Sequence, residues 1–563
     1  MTNSVHINSD RFHNVCRSRP LSAKAPHRVF RALKRETLPG LLRFALAISL
    51  VGPAARATDV TTFHNDVERT GQNLQETILT TANVNSSTFG KLFTVSLDGV
   101  IDAQSLYLSA VTIPGQGTHN VLYVVTENDS VYALDADVGT TLWHASVLGA
   151  GETPSDNRGC GQITPQIGVT STPVIDRTSG PDGTIYVVAM SKASGTYYQR
   201  VHALDLTTGQ EEFGGPVTVQ ATYPGTGDGS QGGSVIFAPA QYAERAGLLL
   251  LNHVIYTAWT SHCDARPYTG WLIGYSESTL AQTGVLDVTP NGNEGAIWQD
   301  GDGLAADASG FIYFLDANGT FDTTLTAKGF PAMGDYGNAI VKVLPKGGQL
   351  RVADYFNMFN TVSESDADED LGSGGIMLLP PQKDSGGMLW NLAIGAGKDG
   401  NIYLVNRSNM GKFNPNGDSA IYQEIDGVLG GGMWASPAYF GGNVYYGPQG
   451  NNLLQFKFSG AKLSTSPIHK SASAFEYPGT TPSISANGFQ NAIVWTIEHS
   501  NPSVLHAYKA QNIGTELYNS NQASGGRDQF GEASHFGTPT IVNGKVYVGT
   551  TSGVTAFGLL TGK

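Results

Sequence analysis

Cysteine is nearly missing from this chain: three stand among 563 residues, at Cys16, Cys160 and Cys263. No Cys-x-x-Cys and no Cys-x-x-Cys-His occurs. The chain therefore offers no thiolate cluster for zinc or iron–sulfur and no attachment point for a c-type haem. Basic residues are few as well, 33 Lys and Arg against 47 Asp and Glu. Ten of the 33 and only two of the 47 lie in the first 57 residues, so the remainder carries 23 against 45, a formal charge of −22. A surface of that sign repels nucleic acid and anionic membrane. Beyond residue 51 no apolar run is long enough to span a bilayer as a helix. Helical periodicity is weak, no Gly-x-Ser-x-Gly separates a strand from a helix, and the Gly430-Gly-Gly432 run lacks the Lys-Ser/Thr of a phosphate loop. These gaps exclude serine-hydrolase and P-loop chemistry.

What is present begins with the N-terminus. The ten early basic residues precede an apolar run, Phe44-Ala-Leu-Ala-Ile-Ser-Leu-Val51, and a small-x-small site, Ala55-Arg-Ala57. That order predicts a secretory signal over residues 1–57, its apolar run too short to remain in a membrane. The expected location is periplasmic or secreted. Cys16 leaves with the signal. Cys160 and Cys263 are then a disulfide candidate, the alternative being two free thiols.

The rest of the chain repeats itself. The clearest copy spans residues 120–143: an apolar strand, a polar turn, a second strand, Ala-Leu-Asp, a Gly turn and Leu-Trp. It is anchored by Tyr123, and the theme returns at Tyr186, Tyr256, Tyr313, Tyr403, Tyr445, Trp495 and Tyr547. The spacings run from 42 to 90 residues, the widest between Tyr313 and Tyr403. A four-stranded blade needs roughly 40–45 residues, so each copy holds one blade plus loops. A second phrase, as in Ser171-Thr-Pro-Val and Gly537-Thr-Pro-Thr, begins the innermost strand of a blade, where Pro costs no ladder bond. The prediction is an all-β, single eight-bladed β-propeller over residues 58–563. Phe89-Gly-Lys-Leu-Phe-Thr-Val-Ser96 is expected to close the ring on the last blade, near residues 546–548. The widest interval predicts the longest loops on the fourth blade.

The phrase Val-Tyr-Ala-Leu-Asp-x-x-x-Gly-x-x-x-Trp resembles that of the pyrroloquinoline quinone (PQQ) propeller superfamily, the quinoprotein alcohol dehydrogenases and their non-catalytic relatives. Ser261-His-Cys-Asp264 and Asp370-Leu-Gly-Ser-Gly-Gly375 are closest to phrases of uncharacterised exported bacterial PQQ-repeat proteins. The resemblance covers essentially the whole chain after the signal and implies the quinoprotein-type propeller. Between residues 297 and 411 it implies roles. Trp298 matches the Trp beneath the cofactor's ring system, where a flat aromatic face stacks on a quinone. Asn318 matches a calcium ligand, a hard oxygen donor. Asp354 matches the catalytic base and a metal-side carboxylate. Lys398 matches the cation beside the quinone oxygens. PQQ and calcium are the implied cofactors.

The chain also departs from that family. Ser194-Gly-Thr-Tyr-Tyr-Gln-Arg200 has no carboxylate where an acidic calcium ligand is expected, and the family's adjacent-cysteine disulfide is missing. Glu294 is a nearby carboxylate able to replace the ligand. His262, Asp264, Arg266 and Tyr268 follow a strand and are candidate ligand contacts at the propeller's mouth. The acidic stretch of residues 363–370 reads as a solvated loop. Two functions stand. In the first, an exported propeller binds a small molecule or a periplasmic protein partner at its channel mouth, without catalysis. In the second, a Ca²⁺/PQQ-dependent dehydrogenase oxidises an alcohol or sugar and passes electrons to an external acceptor.

Overall fold

The computed structural model describes residues 58–560; the secretory signal expected over residues 1–57 lies outside them. Eight sheets follow one another along the chain as the blades of a propeller. Blade 1 runs from Leu106–Ile113 to Thr141–Ser146, and blade 4 is Ala305–Ala306, Ile312–Leu315, Ile340–Lys346 and Gln349–Phe356. Each Pro phrase leads directly into a blade's first strand, at Val174–Asp176, Ala438–Phe440, Ser483–Asn487 and Thr540–Val542.

The repeated aromatic has a physical job. Its ring is buried between blades, and in four copies its hydroxyl reaches a carbonyl of the next blade. Tyr123 donates to Leu206 O (2.9 Å), Tyr186 to Glu277 O (2.8 Å), Tyr445 to Ala510 O (2.6 Å) and Tyr547 to Ala136 O (2.7 Å). The core is accordingly interblade: one apolar cluster joins blade 1 to Val187 and Leu204 of blade 2 and to Val554 and Ala556 of blade 8.

Two details differ from expectation. Phe89–Ser96 closes the ring on blade 8, but it pairs with Gly553–Leu559 and not with the strand of residues 546–548. The closing strand is the outermost of its blade, and Lys545–Thr550 is already flanked on both sides. Tyr403 sits on the third strand of blade 5, Ile402–Asn406, whereas Tyr313 sits on the second of blade 4. The 90-residue interval thus counts one strand too many as well as long loops.

One element has no counterpart in the repeat. Residues 60–75 run through the centre of the ring and reach every blade. Val60 exchanges bonds with Tyr107 (2.8 and 2.9 Å), Thr61 O accepts from Ile175, Val67 O from Ala306 and Glu68 O from Leu378. Thr70 O accepts from Tyr439 and Gly71 O from Ile484, while Asn73 Nδ2 donates to Ile541 O. Blade 3 is reached by Arg69, whose Nη2 donates to Leu248 O at 3.3 Å. This strap satisfies first-strand amides that would otherwise line an open channel as an unpaired edge. Arg69 is fully buried at its centre, also bonding Leu304 O (2.8 Å), Thr62 Oγ1 (2.7 Å) and Phe63 O (2.8 Å). A Cβ at Gly303 would lie 2.7 Å from the Arg69 guanidinium carbon, so only glycine lets this arginine in.

Candidate functional site

The mouth of the channel is built where segments enter and leave the inner strands. The segment entering blade 4 carries Trp298, then two consecutive left-handed residues, Gln299 (φ 44°) and Asp300 (φ 43°, ψ 40°). Such a pair costs on the order of 1–3 kcal/mol per residue and must be held by its surroundings. Here the Gln299 amide oxygen accepts from Leu315 N–H (3.1 Å), and Asp302 N–H donates to Gln299 O (2.7 Å). The turn points the Asp300 carboxyl inward, where it is buried and its Oδ2 has no partner.

Asn318 arrives at the end of the next strand. Its Nδ2 donates to Asp368 Oδ1 (2.6 Å), and its Oδ1 is buried without a partner. The acidic stretch read as a solvated loop is instead a helix, Thr361–Ala367, stopped by left-handed Asp368 (φ 61°). That stop turns Asp368 and Asp370 onto Lys398, whose Nζ is paired with Asp368 and lies 2.8 Å from Asp370 Oδ1. Trp434 completes the wall, packed edge-on to Tyr477 at 5.4 Å. Two loops meet at the rim: Cys160 and Cys263 are disulfide-bonded with Cα atoms 5.5 Å apart, and the neighbouring Gln162 and Asp264 line the pocket. The free space in this partly open pocket is about 30 Å³.

Electrostatics follow from burial. Desolvation raises the Asp300 carboxyl well above the ordinary range; Arg245 opposes the shift and Asp302 adds to it. Asp370 is likewise raised by burial, against the pull of Lys398. Burial works against the Lys398 ammonium, but Asp370 and Asp368 hold it above its usual value. The site is thus a tight acidic pocket with one lysine already shared by two carboxylates.

Trp298, Asn318 and Lys398 come together in this pocket, together with Asp264. Asp354 does not. It stands on the outermost strand of blade 4, with Oδ1 3.0 Å from Lys412 Nζ and Oδ2 accepting from Met410 N–H (2.9 Å), a carboxylate spent on an ion pair. Tyr268 donates to Asp264 Oδ1 (2.9 Å) and so orients it. Arg266 turns outward to Asp228 (2.7 Å). His262 is buried away from the pocket's lining and lowered to about 4 by desolvation, then by Arg158. Glu294 is fixed by backbone bridges to Thr269 and Gly319 and does not line the pocket. Sequence reading did not single out Asp300, Asp370 or Trp434 as site residues. Asp370 stood at the end of the acidic stretch read as a solvated loop, and the signal for Asp300 was its place two positions after Trp298.

The surrounding carboxyls give a pH dependence. Burial raises Asp287 and Asp302 to about 7 and Glu244 to about 8. The unfolded chain has released these protons by pH 6.5, so between pH 6.5 and 8 the fold holds more protons than the unfolded chain. Stability is then expected to fall as pH rises, by about 2–3 kcal/mol over that window. His64, His262 and His499, all lowered to about 4, oppose this in part, because the unfolded chain still carries protons on them at pH 6.5 and loses them by pH 8; together they offset about 1 kcal/mol of the carboxyl effect and leave the net direction downward. Urea midpoints at the two pH values check this; a higher midpoint at pH 8 would refute it.

Comparison places the fold. No family profile matches the chain, and no curated protein is similar to it. Solved structures are. A quinohemoprotein alcohol dehydrogenase, ADHIIG of Pseudomonas putida HK5, superposes with a TM-score of 0.58 at 13% identity, over 89% of this chain and 80% of that one. The quinohemoprotein alcohol dehydrogenase of Comamonas testosteroni gives 0.57 at 14%, over 90% and 81%. A europium-containing methanol dehydrogenase gives 0.56 at 12%, over 89% and 98%. The chain therefore has the eight-bladed propeller fold of the quinoprotein dehydrogenases. Among the described residues no helix is long and apolar enough to cross a membrane.

Proposed function

We propose that this chain is an exported quinoprotein-type propeller that binds a compact cation at its channel mouth and carries out no oxidation there. The supporting observation is the pair of buried, unpartnered oxygens, Asp300 Oδ2 and Asn318 Oδ1, on residues lining a space of about 30 Å³. That space is close to the share of one water or one small ion. Asp264 and Asp370 add negative charge, and the indoles of Trp298 and Trp434 offer faces to a cation. Ca²⁺ and a primary ammonium group share this chemistry. Among the described residues no three His, Cys, Asp or Glu side chains are grouped to hold a metal, so a calcium ion would rely on Asp300, on the Asn318 amide oxygen and on water.

The second reading, a Ca²⁺/PQQ dehydrogenase, is favoured by one observation. Trp298, Asn318 and Lys398 lie far apart in sequence and yet line one pocket. Their chemistry suits the cofactor: an aromatic face, a hard oxygen and a fixed cation. The space does not, since pockets for molecules of that class start at roughly 300 Å³. Lys398 is also already shared between Asp368 and Asp370, so its charge is not free for the quinone oxygens.

Tryptophan fluorescence tests the binding reading, with calcium chloride and methylammonium chloride titrated in separate arms. A saturable change with one of them, lost in Asp300→Asn at unchanged melting temperature, is the expected result. No change with either, up to millimolar concentrations, would remove the reading.

A further inference from the structure

A second cavity lies at the other end of the ring. In blade 4 the first strand leaves the mouth at Ala305–Ala306, turns through residues 307–311, and returns along Ile312–Leu315 towards Asn318. That turn is on the far face. Between it and blade 5 is a cleft of about 630 Å³, floored by Leu378, Leu379, Pro380 and Pro381. The volume falls within the range of small-molecule sites.

The cleft carries both charges, supplied by different parts of the fold. Blades 4 and 5 contribute Lys342 and Arg407. Lys342 Nζ lies 4.1 Å from the centroid of the Phe311 ring and donates to Arg407 O at 2.6 Å. The Arg407 guanidinium has one loose ion pair, Nη1 to Asp307 Oδ2 at 3.8 Å, and its Nε is buried without a partner. The central strap contributes Asp66 and Glu68. Thr70 engages Asp66 through its amide (2.9 Å) and its hydroxyl. Among the described residues, nothing forms a hydrogen bond or ion pair with the Glu68 carboxylate, and no ion pair joins the acidic side to Lys342 or Arg407.

We propose that this far-face cleft binds a small zwitterion, an α-amino acid or short peptide, with its carboxylate on Arg407 and Lys342 and its ammonium on Glu68 and Asp66. Opposite charges that share a cleft, joined only by the loose Arg407–Asp307 pair, are bridged best by a molecule carrying both. A ligand of one charge would leave the other pair of side chains desolvated and unmet. The planar guanidinium, held only by one loose ion pair, is the usual partner of a carboxylate. The proline–leucine floor suits aliphatic side chains. The site is independent of the mouth pocket.

Leucyl-leucine, its C-terminal amide and its N-acetyl form, titrated by calorimetry into the purified protein, test this. The dipeptide is expected to bind saturably, and each capped form at least about tenfold more weakly. Arg407→Gln should erase the discrimination against the amide, and Glu68→Gln that against the acetyl form. Equal binding of all three, or no binding of the dipeptide at millimolar concentration, would overturn the proposal. The capped ligands decide the matter on the unmodified protein even where a variant fails to fold.

Discussion

Replacing Arg69 by alanine is expected to cost about 3–5 kcal/mol of unfolding free energy, because it strips donors from several buried acceptors at once. Leu304 O, Phe63 O and Thr62 Oγ1 each lose a bond of 2.7–2.8 Å, and all three residues are buried. A cavity is left as well, beneath Gly303, whose backbone approaches the guanidinium closely. In a ring of this size such a loss moves Tm by only about 3–5 °C, so denaturant titration is the sharper readout. Arg69→Lys should recover part of the loss, since an ammonium reaches fewer of the same acceptors. A loss below about 1 kcal/mol for the alanine variant would mean that the strap does not organise the inner strands.

Lys398→Met is the second large effect. Asp370 is almost fully buried, and Lys398 is its ion-pair partner. Removing one member of a buried pair leaves an uncompensated charge, at a cost of about 3–5 kcal/mol. Burial already raises Asp370 and Asp300, so the variant relieves the strain by protonating them. The sign follows from linkage: the raised carboxyls destabilise the fold above their folded pKa, and that penalty fades as pH falls through it. The variant should therefore be far weaker than the parent at pH 8 and close to it at pH 5, while Lys398→Arg stays close at both. A loss independent of pH would assign the effect to packing and not to charge.

The blades were legible because each carries a side-chain signature, an aromatic between neighbours and a Pro before the first strand. Tyr403 shows the limit of that signal. The same Ile-Tyr-x-x pattern suits the second or the third strand, since both are buried on two faces. The strap of residues 60–75 was not legible. Its bonds to the blades are mostly backbone carbonyls, and any side chain can accompany those. At the mouth, the resemblance singled out Trp298, Asn318 and Lys398, which line one pocket. It did not point to Asp370, because the place of that residue beside Lys398 rests on a short helix and its left-handed stop at Asp368. Asp300 was hidden for a related reason: a left-handed pair of non-glycine residues has no composition that announces it.

The most direct test of a mouth too small for the quinone is equilibrium dialysis against PQQ with excess Ca²⁺, read by absorbance, beside a thermal shift with Ca²⁺ alone. A compact-cation pocket predicts no retained quinone and the same melting temperature with and without PQQ. A retained quinone spectrum that needs calcium and is lost in Trp298→Ala would contradict it, and would make the dehydrogenase reading the correct one.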